Sequence, residues 1–384
     1  MYDVCIIGAG AAGMMCGVVA SERGLNVCIV EKNPAPGKKI YATGNGRCNI
    51  SNVNCENAND VLAFFRSLGL VTVTEEQGRV YPASSQAADV VYVLEKRLKV
   101  NGVRIEAKHA CDWVEKTGDG FEVCCGHERI RCAKLVVATG GKAAPIYGTT
   151  GDGYGLAQSL GHTVRKPVPV LTGIECDYDM TKLKGTRAGA VCSLTRHGEE
   201  VFREKGEVQF TEYGLSGICI FNMSRHLLLD ERTSFGDYTV SLDFSCCSDR
   251  SKVIESILTE RSAIKGFRNR DLLVSMVPRA LAEDIVKRTG LVPDEPATGS
   301  LDVLRALAME MAEWKTGVTG ARGWKMAQCT KGGVAVEEID PDTMESVISP
   351  GLFFAGEVLD YDGPCGGYNL QHAWETGMRA GRNV

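Results

Sequence analysis

The chain of 384 residues contains no run of about 20 apolar residues, so no segment reads as a helix that crosses a bilayer. Its apolar start carries no basic leader, which argues against an export signal and for a cytoplasmic protein. No charge sign dominates: 43 basic residues face 48 acidic ones, and a net charge of −5 gives no general attraction for nucleic acid. Cysteine is plentiful at 16, yet no C-x-x-C spacing occurs, which speaks against iron–sulfur clusters and structural zinc. No metal is expected. The adjacent pairs Cys124–Cys125 and Cys246–Cys247 fall in strand-like sequence, where neighbours point to opposite faces. Most of these thiols read as small buried hydrophobes in a reducing compartment.

What the chain does have is concentrated in residues 1–31. Val4 to Ile7 form an apolar run of buried-strand type that stops at Gly8. Gly8, Gly10 and Gly13 follow at G-x-G-x-x-G spacing, with Ala11 and Ala12 between them. The first glycine permits the turn, the second admits a pyrophosphate, and the third lets the next helix pack on the sheet. That helix would aim its N-terminal N–H groups at the phosphates. A second strand closes at Glu31, whose carboxylate can accept bonds from ribose hydroxyls. Strand, turn, helix, strand and acid in that order predict a dinucleotide site. A second fingerprint is absent from the chain.

Residues 32–52 (KNPAPGKKIYATGNGRCNISN) lack apolar periodicity and read as a long functional loop. Gly44 and Gly46 allow left-handed backbone; Lys38, Lys39 and Arg47 can meet phosphate; Asn45 and Asn49 offer amides to a polar ring edge. Helical periodicity follows at 59–68 and 86–100, then short strands at 103–105, 110–115, 121–125 and 130–132. Residues 134–141 read as a separate buried strand ending in glycines. Composition shifts at 166–169, strand-like alternation covers 188–243, and a helical pattern runs from 251 to about 313. The end of the chain repeats the opening device: a strand at 352–354, the glycines Gly356, Gly366 and Gly367, then a helix from Tyr368.

GKKIYATGNGRCNISN, GRVYPASSQAADVV, AQCTKGGV and GLFFAGEVLDYDGPCGGYNLQHAWETG, in this order along nearly the whole chain, resemble the bacterial YhiN/BaiN-like flavoproteins. GLSGICI departs from the family, which more often has proline after the second glycine. The resemblance implies an α/β fold: a discontinuous, glutathione-reductase-like FAD-binding domain of Rossmann type (1–167 and 329–384). A β-rich insert (168–248 and 316–328) interrupts it, with a helical domain (249–315) nested inside. It also implies that Gly8, Gly10, Ala11, Ala12 and Gly13 hold the FAD pyrophosphate and Glu31 the adenosine ribose. Lys32, Lys38, Thr43, Gly44, Asn45, Gly46, Arg47, Cys48, Asn49, Thr139, Gly140 and Gly141 would border the cofactor. Gly356 and Glu357 would meet the ribityl chain, and Gly367, Tyr368, Asn369 and Leu370 the flavin ring.

Members of that family are reductases of double bonds conjugated to a carbonyl, acting on 3-oxo bile acid intermediates or on a uridine of ribosomal RNA. Hydride delivery to such a bond needs donors for the carbonyl oxygen and an acid for the α-carbon. Tyr368 is the first candidate acid and Cys48 the second, with Cys365 and His372 also near the ring. With one fingerprint, NAD(P)H is expected as a transient reductant that shares the open cleft. The acidic balance favours a small-molecule enone over RNA. For RNA, the contact face would be Arg261, Lys265, Arg268, Arg270, Arg279, Lys287 and Arg288. Amine oxidation and a non-catalytic flavin carrier are the remoter readings.

Overall fold

A computed structural model describes residues 1–227, 233–245 and 250–384, so the Cys246–Cys247 pair lies outside the described residues. The chain divides into two compact units, Met1–Val170 with Trp324–Val384, and Leu171–Gly323.

The first unit is built on a sheet whose core is parallel. Tyr2–Ile7 lies between Val27–Glu31 and Glu128–Val137, and Arg104–Ala107 extends the sheet beyond Val27–Glu31. The two strands read separately at 130–132 and 134–141 are one strand, Glu128–Val137. Its first half pairs antiparallel with Gly120–Cys125, and its last residues pair parallel with both Tyr2–Ile7 and Leu352–Phe354. The first half therefore alternates between exposed and buried residues while Leu135–Val137 is apolar throughout, because only the parallel part is covered on both faces. The change of pattern marks a change of neighbours, not a break in the strand.

Helix Ala11–Glu22 is buried from Ala12 to Ser21, which explains why its sequence shows no polar stripe. It packs against the last helix, Tyr368–Asn383, at backbone distance. A Cβ at Gly377 would overlap the carbonyl of Ala12, and one at Gly381 would sit 2.8 Å from the carbonyl of Cys16. Arg23 ties off the far end by donating to the carbonyls of Gly381 (3.0 Å) and Val384 (2.6 Å). At the edge of this unit His162 is sealed, with Nδ1 3.0 Å from a Glu338 oxygen and Nε2 2.8 Å from the Ser346 hydroxyl.

The second unit is a closed six-stranded barrel ordered Ile174–Cys176, Gly214–Ser216, Glu199–Thr211, Arg187–Arg196, Tyr238–Asp243 and Trp314–Ala321. Helices Arg250–Ser262, Arg279–Arg288 and Leu301–Ala312 share its apolar core, with Leu258, Ile285 and Leu307 buried alongside Leu194 and Phe210. Ile218, where the family more often has proline, is the first residue of helix Ile218–Ser224. At that position a proline's missing N–H costs nothing, so the helix forms with either residue.

The helix contact gives a paired prediction. Gly377→Ala should destabilise the protein by about 1–3 kcal/mol, because the new methyl meets fixed backbone. Gly155→Ala, mid-helix with nothing within 4 Å, should be neutral or stabilising by about 0.5–1 kcal/mol. Urea unfolding midpoints of the two variants check both signs.

Candidate functional site

The glycine turn is built by contact with its neighbours. Gly8 has φ +104°, and a Cβ there would lie 2.5 Å from the carbonyl of Ala138; a Cβ at Gly13 would overlap the carbonyl of Gly8. Gly10 differs: nothing lies within 4 Å of the position its Cβ would take. Two glycines are therefore demanded by packing and the middle one leaves open space.

That space belongs to a cleft of about 1180 Å³, counting the part open to solvent, lined by residues of the first unit. Among the residues expected at the cofactor, the turn residues Gly8, Gly10, Ala11 and Ala12 form one wall, with Glu31 and Lys32 beside them. Lys38, Thr43, Thr139, Gly140, Gly356, Glu357, Asn369 and Leu370 complete the lining from that set. Outside the lining are Gly13, Gly44, Asn45, Gly46, Arg47, Cys48, Asn49, Gly141, Gly367 and Tyr368. Several of these act from behind the wall. Gly141 has no Cβ because Thr330 and the Glu357 carboxylate occupy that place. Gly44 and Asn45 are left-handed, as is Cys48 at φ +57°, and together they fold the loop against Asn49. Arg47 faces elsewhere: its guanidinium is held by Glu75 and lies 4.1 Å from the centre of the Tyr81 ring.

Glu31 is buried and fastens the turn itself. Its Oε2 accepts the Ala9 N–H at 2.8 Å, and its Oε1 accepts the backbone and side-chain amides of Asn33, each at 2.7 Å. A carboxylate has about four acceptor positions, so one on Oε2 is left for a ligand hydroxyl. Across the cleft, Asn369 folds the glycine-rich segment before the last helix. Its Oδ1 accepts the Gly363 N–H (2.8 Å) and lies 3.3 Å from the Cys329 sulfur, while Nδ2 donates to the Gly363 carbonyl (2.9 Å).

The candidate acids are placed differently from one another. Cys48 is sealed in the core, and burial pushes its thiol up to about 12. Tyr368 is part-exposed, opens the last helix, and packs against Gly363. His372 stacks on Tyr361 with ring centres 3.9 Å apart; burial, with Arg379 adding to it, lowers its pKa to about 4. Cys365 has its sulfur 4.0 Å from a Gln328 oxygen. Sequence reasoning missed Gln328, Cys329, His109, Cys111 and Tyr147 in the lining, and gave Lys39 a phosphate where the structure gives it a carboxylate. Only the AQCTKGGV stretch carried a signal, through Cys329.

These residues fit a long dinucleotide. Open space faces Gly10, and the helices beginning at Ala11 and Tyr368 both reach the cleft with their first turns. Asn49 Oδ1, beside Gly367, is buried without a hydrogen-bond partner, but it lies behind the wall and not in the lining. Fold and site together are those of an FAD-dependent oxidoreductase. Residues 2–59 and 56–383 match the family described as HI0933-like protein Rossmann domain, and the chain belongs to that family.

Two relatives span the full length. A 3-dehydro-bile acid delta(4,6)-reductase of Clostridium scindens is 32% identical, covering 100% of this chain and 98% of that protein. A ribosomal RNA dihydrouridine synthase of Escherichia coli is 29% identical over the same shares. Among solved structures, 3-ketosteroid-delta4-(5alpha)-dehydrogenase from Rhodococcus jostii matches with a TM-score of 0.52 at 14% identity. It covers 100% of this chain and 96% of that one, and shows the shared fold. Among the described residues, no helix is long and apolar enough to cross a membrane, and no cluster of His, Cys, Asp or Glu is arranged for a metal ion.

Gly10→Val should fold normally and lose FAD, since its side chain enters empty cleft; Gly13→Val should fail to fold. Flavin content and circular dichroism of the two purified variants separate these outcomes. The pH dependence of stability follows from His372. Its folded pKa of about 4 lies below the ordinary 6.5, so above pH 6.5 the ring is neutral in the folded and unfolded chain alike and protonation takes nothing from stability. Stability is then lost as pH falls towards 4, by roughly 3 kcal/mol in all. His372→Phe should flatten that decline in urea midpoints taken between pH 7 and pH 4.5.

Proposed function

We propose that the protein reduces a carbon–carbon double bond conjugated to a carbonyl, with NAD(P)H as the transient donor and a steroid-type 3-oxo acid as substrate. It would work in the cytoplasm, where the free cysteines of the described chain stay reduced. The observation that carries this reading is the full-length likeness to a bile acid reductase, joined to a cleft whose turn and helix ends suit FAD.

FAD, when bound, supplies the hydride. The chain's own part is to hold the cofactor, shape the cleft and deliver a proton. Gly8, Ala11 and Ala12 would present backbone to the pyrophosphate, and Glu31 its remaining acceptor position to the ribose. Asn369 and Leu370, in the first turn of the last helix, would face the ring with the positive end of the helix dipole. Tyr368 is the preferred acid: a phenol can give a proton from a part-exposed position, whereas the Cys48 thiol is shut away from any substrate.

RNA as substrate draws less support from the charged helices. Arg261 donates to the carbonyls of Leu272 and Val274, both at 2.8 Å, and Arg279 meets Glu283 at 3.3 Å. Arg268 and Arg270 both bind Asp294, and Arg288 binds Glu310 while lying 4.7 Å from the centres of the Tyr178 and Trp314 rings. A phosphate backbone would have to compete with those partners.

The test is anaerobic reoxidation of the dithionite-reduced protein by 3-oxo steroid enones and, separately, by uridine-containing ribosomal RNA. Enones are expected to restore the oxidised spectrum at substrate-dependent rates. Reoxidation by RNA alone, weakening steeply with salt, would transfer the assignment to uridine reduction. Tyr368→Phe is expected to slow the enone step about 100-fold or more while flavin reduction by NAD(P)H changes little. Equal slowing of both steps would make Tyr368 a flavin-positioning residue.

A further inference from the structure

The cleft wall contains three lysines and three carboxylates: Lys32, Lys38, Lys39, Glu31, Asp152 and Glu357. Lys32 is paired with Asp152 and Lys39 with Glu357, the second pair at 2.7 Å. Glu357 is held on both oxygens, because Oε1 accepts the Thr330 N–H at 2.9 Å while Oε2 takes Lys39. Both partners are largely shielded, with side-chain exposures of 24% for Lys39 and 19% for Glu357. They come from opposite ends of the chain, and Gly141 stays bare so that the carboxylate can reach this place.

A fixed carboxylate is a good acceptor for sugar-alcohol hydroxyls, but its charge is a poor neighbour for a diphosphate. The geometry points to Lys39 as a charge-compensating positioning residue, which fixes Glu357 and cancels its field so that the cleft admits a doubly anionic dinucleotide. This rests on the FAD reading above and goes beyond it. Lys39 acts here through the carboxylate, not as the phosphate ligand that its place in a basic loop suggests. Without Lys39 the wall would carry one net negative charge before the cofactor arrives. Shielding from water makes that charge count for more than it would on an open surface.

The experiment is FAD titration of the deflavinated protein, followed by flavin fluorescence, with circular dichroism on each variant. Lys39→Met is expected to raise the FAD dissociation constant about tenfold or more, since it strands a half-buried carboxylate. Lys39→Arg keeps the charge and should bind within about threefold of the original. The deciding comparison adds Glu357→Gln alone and together with Lys39→Met. Because Glu357 would itself meet the ribityl chain, its own loss is measured separately, and in the Glu357→Gln background Lys39→Met should cost little further affinity. A Lys39→Met loss as large in the Glu357→Gln background as in the original chain, or unchanged binding in Lys39→Met, overturns the inference while leaving the FAD reading standing. An original chain that refuses FAD overturns both.

Discussion

The close approach of the first and last helices is the constraint on which the site depends. Gly377 and Gly381 let helix Tyr368–Asn383 lie with its backbone on Ala12 and Cys16, and no larger residue could occupy either place without moving the chain. Ala12 lies by Gly377 and Cys16 by Gly381, so the helices run the same way. Both N-termini then point to one side of the first unit. Tyr368 starts about eight residues ahead of the level of Ala11, which staggers the two positive helix ends by ~12 Å. A dinucleotide is long, and two staggered positive ends suit its diphosphate and the far edge of its ring better than one. Packing between helices thus sets the electrostatics of the cleft.

Carboxylates serve as fasteners in this cleft before they serve as ligands. Glu31 closes the glycine turn through Ala9 and joins it to Asn33, while Glu357 joins the loop before the last helix to Thr330 and Lys39. Each keeps acceptor capacity while its orientation is already fixed. The ordering of these side chains is met by folding, so a ligand that uses the remaining lone pairs meets a prepared site. Asn369 does the same with an amide, holding the Gly363 segment through both its oxygen and its nitrogen.

Local chemistry was legible in the sequence and tertiary pairing was not. The turn from Gly8 to Gly13 is announced in the sequence because Gly8 and Gly13 each answer a backbone contact, on the neighbouring strand or within the turn, and Gly10 keeps the space before it open. The strand at Leu352–Phe354 and the helix from Tyr368 were equally plain, since a parallel strand is apolar throughout and glycines mark its end. Glu128–Val137 was read as two strands because its pattern changes where its partners change, and pairing partners are not written in a single strand's periodicity. The basic loop misled in a different way. Lys39 and Arg47 looked like phosphate ligands from composition, yet each found a carboxylate far along the chain, Glu357 and Glu75. A lysine's sequence neighbourhood says nothing about which distant acid the fold brings to it.

The cleft is lined by residues from 1–170 and 324–384, while the inserted unit has a buried core of its own, running from Ile174 to Val318. Within that unit Arg288 fastens a helix: stacked on Tyr178 and Trp314 and bonded to Glu310, it locks helix Arg279–Arg288 to the barrel wall. Its charge is neutralised and its planar face covered, so it contributes to the unit's stability more than to its surface field. Arg261 is likewise tied to backbone, through the carbonyls of Leu272 and Val274, whereas Lys265, Arg268, Arg279 and Lys287 are exposed. The basic composition of residues 261–288 is therefore part internal architecture and part surface, and the exposed members stand among acids such as Glu283 and Asp294.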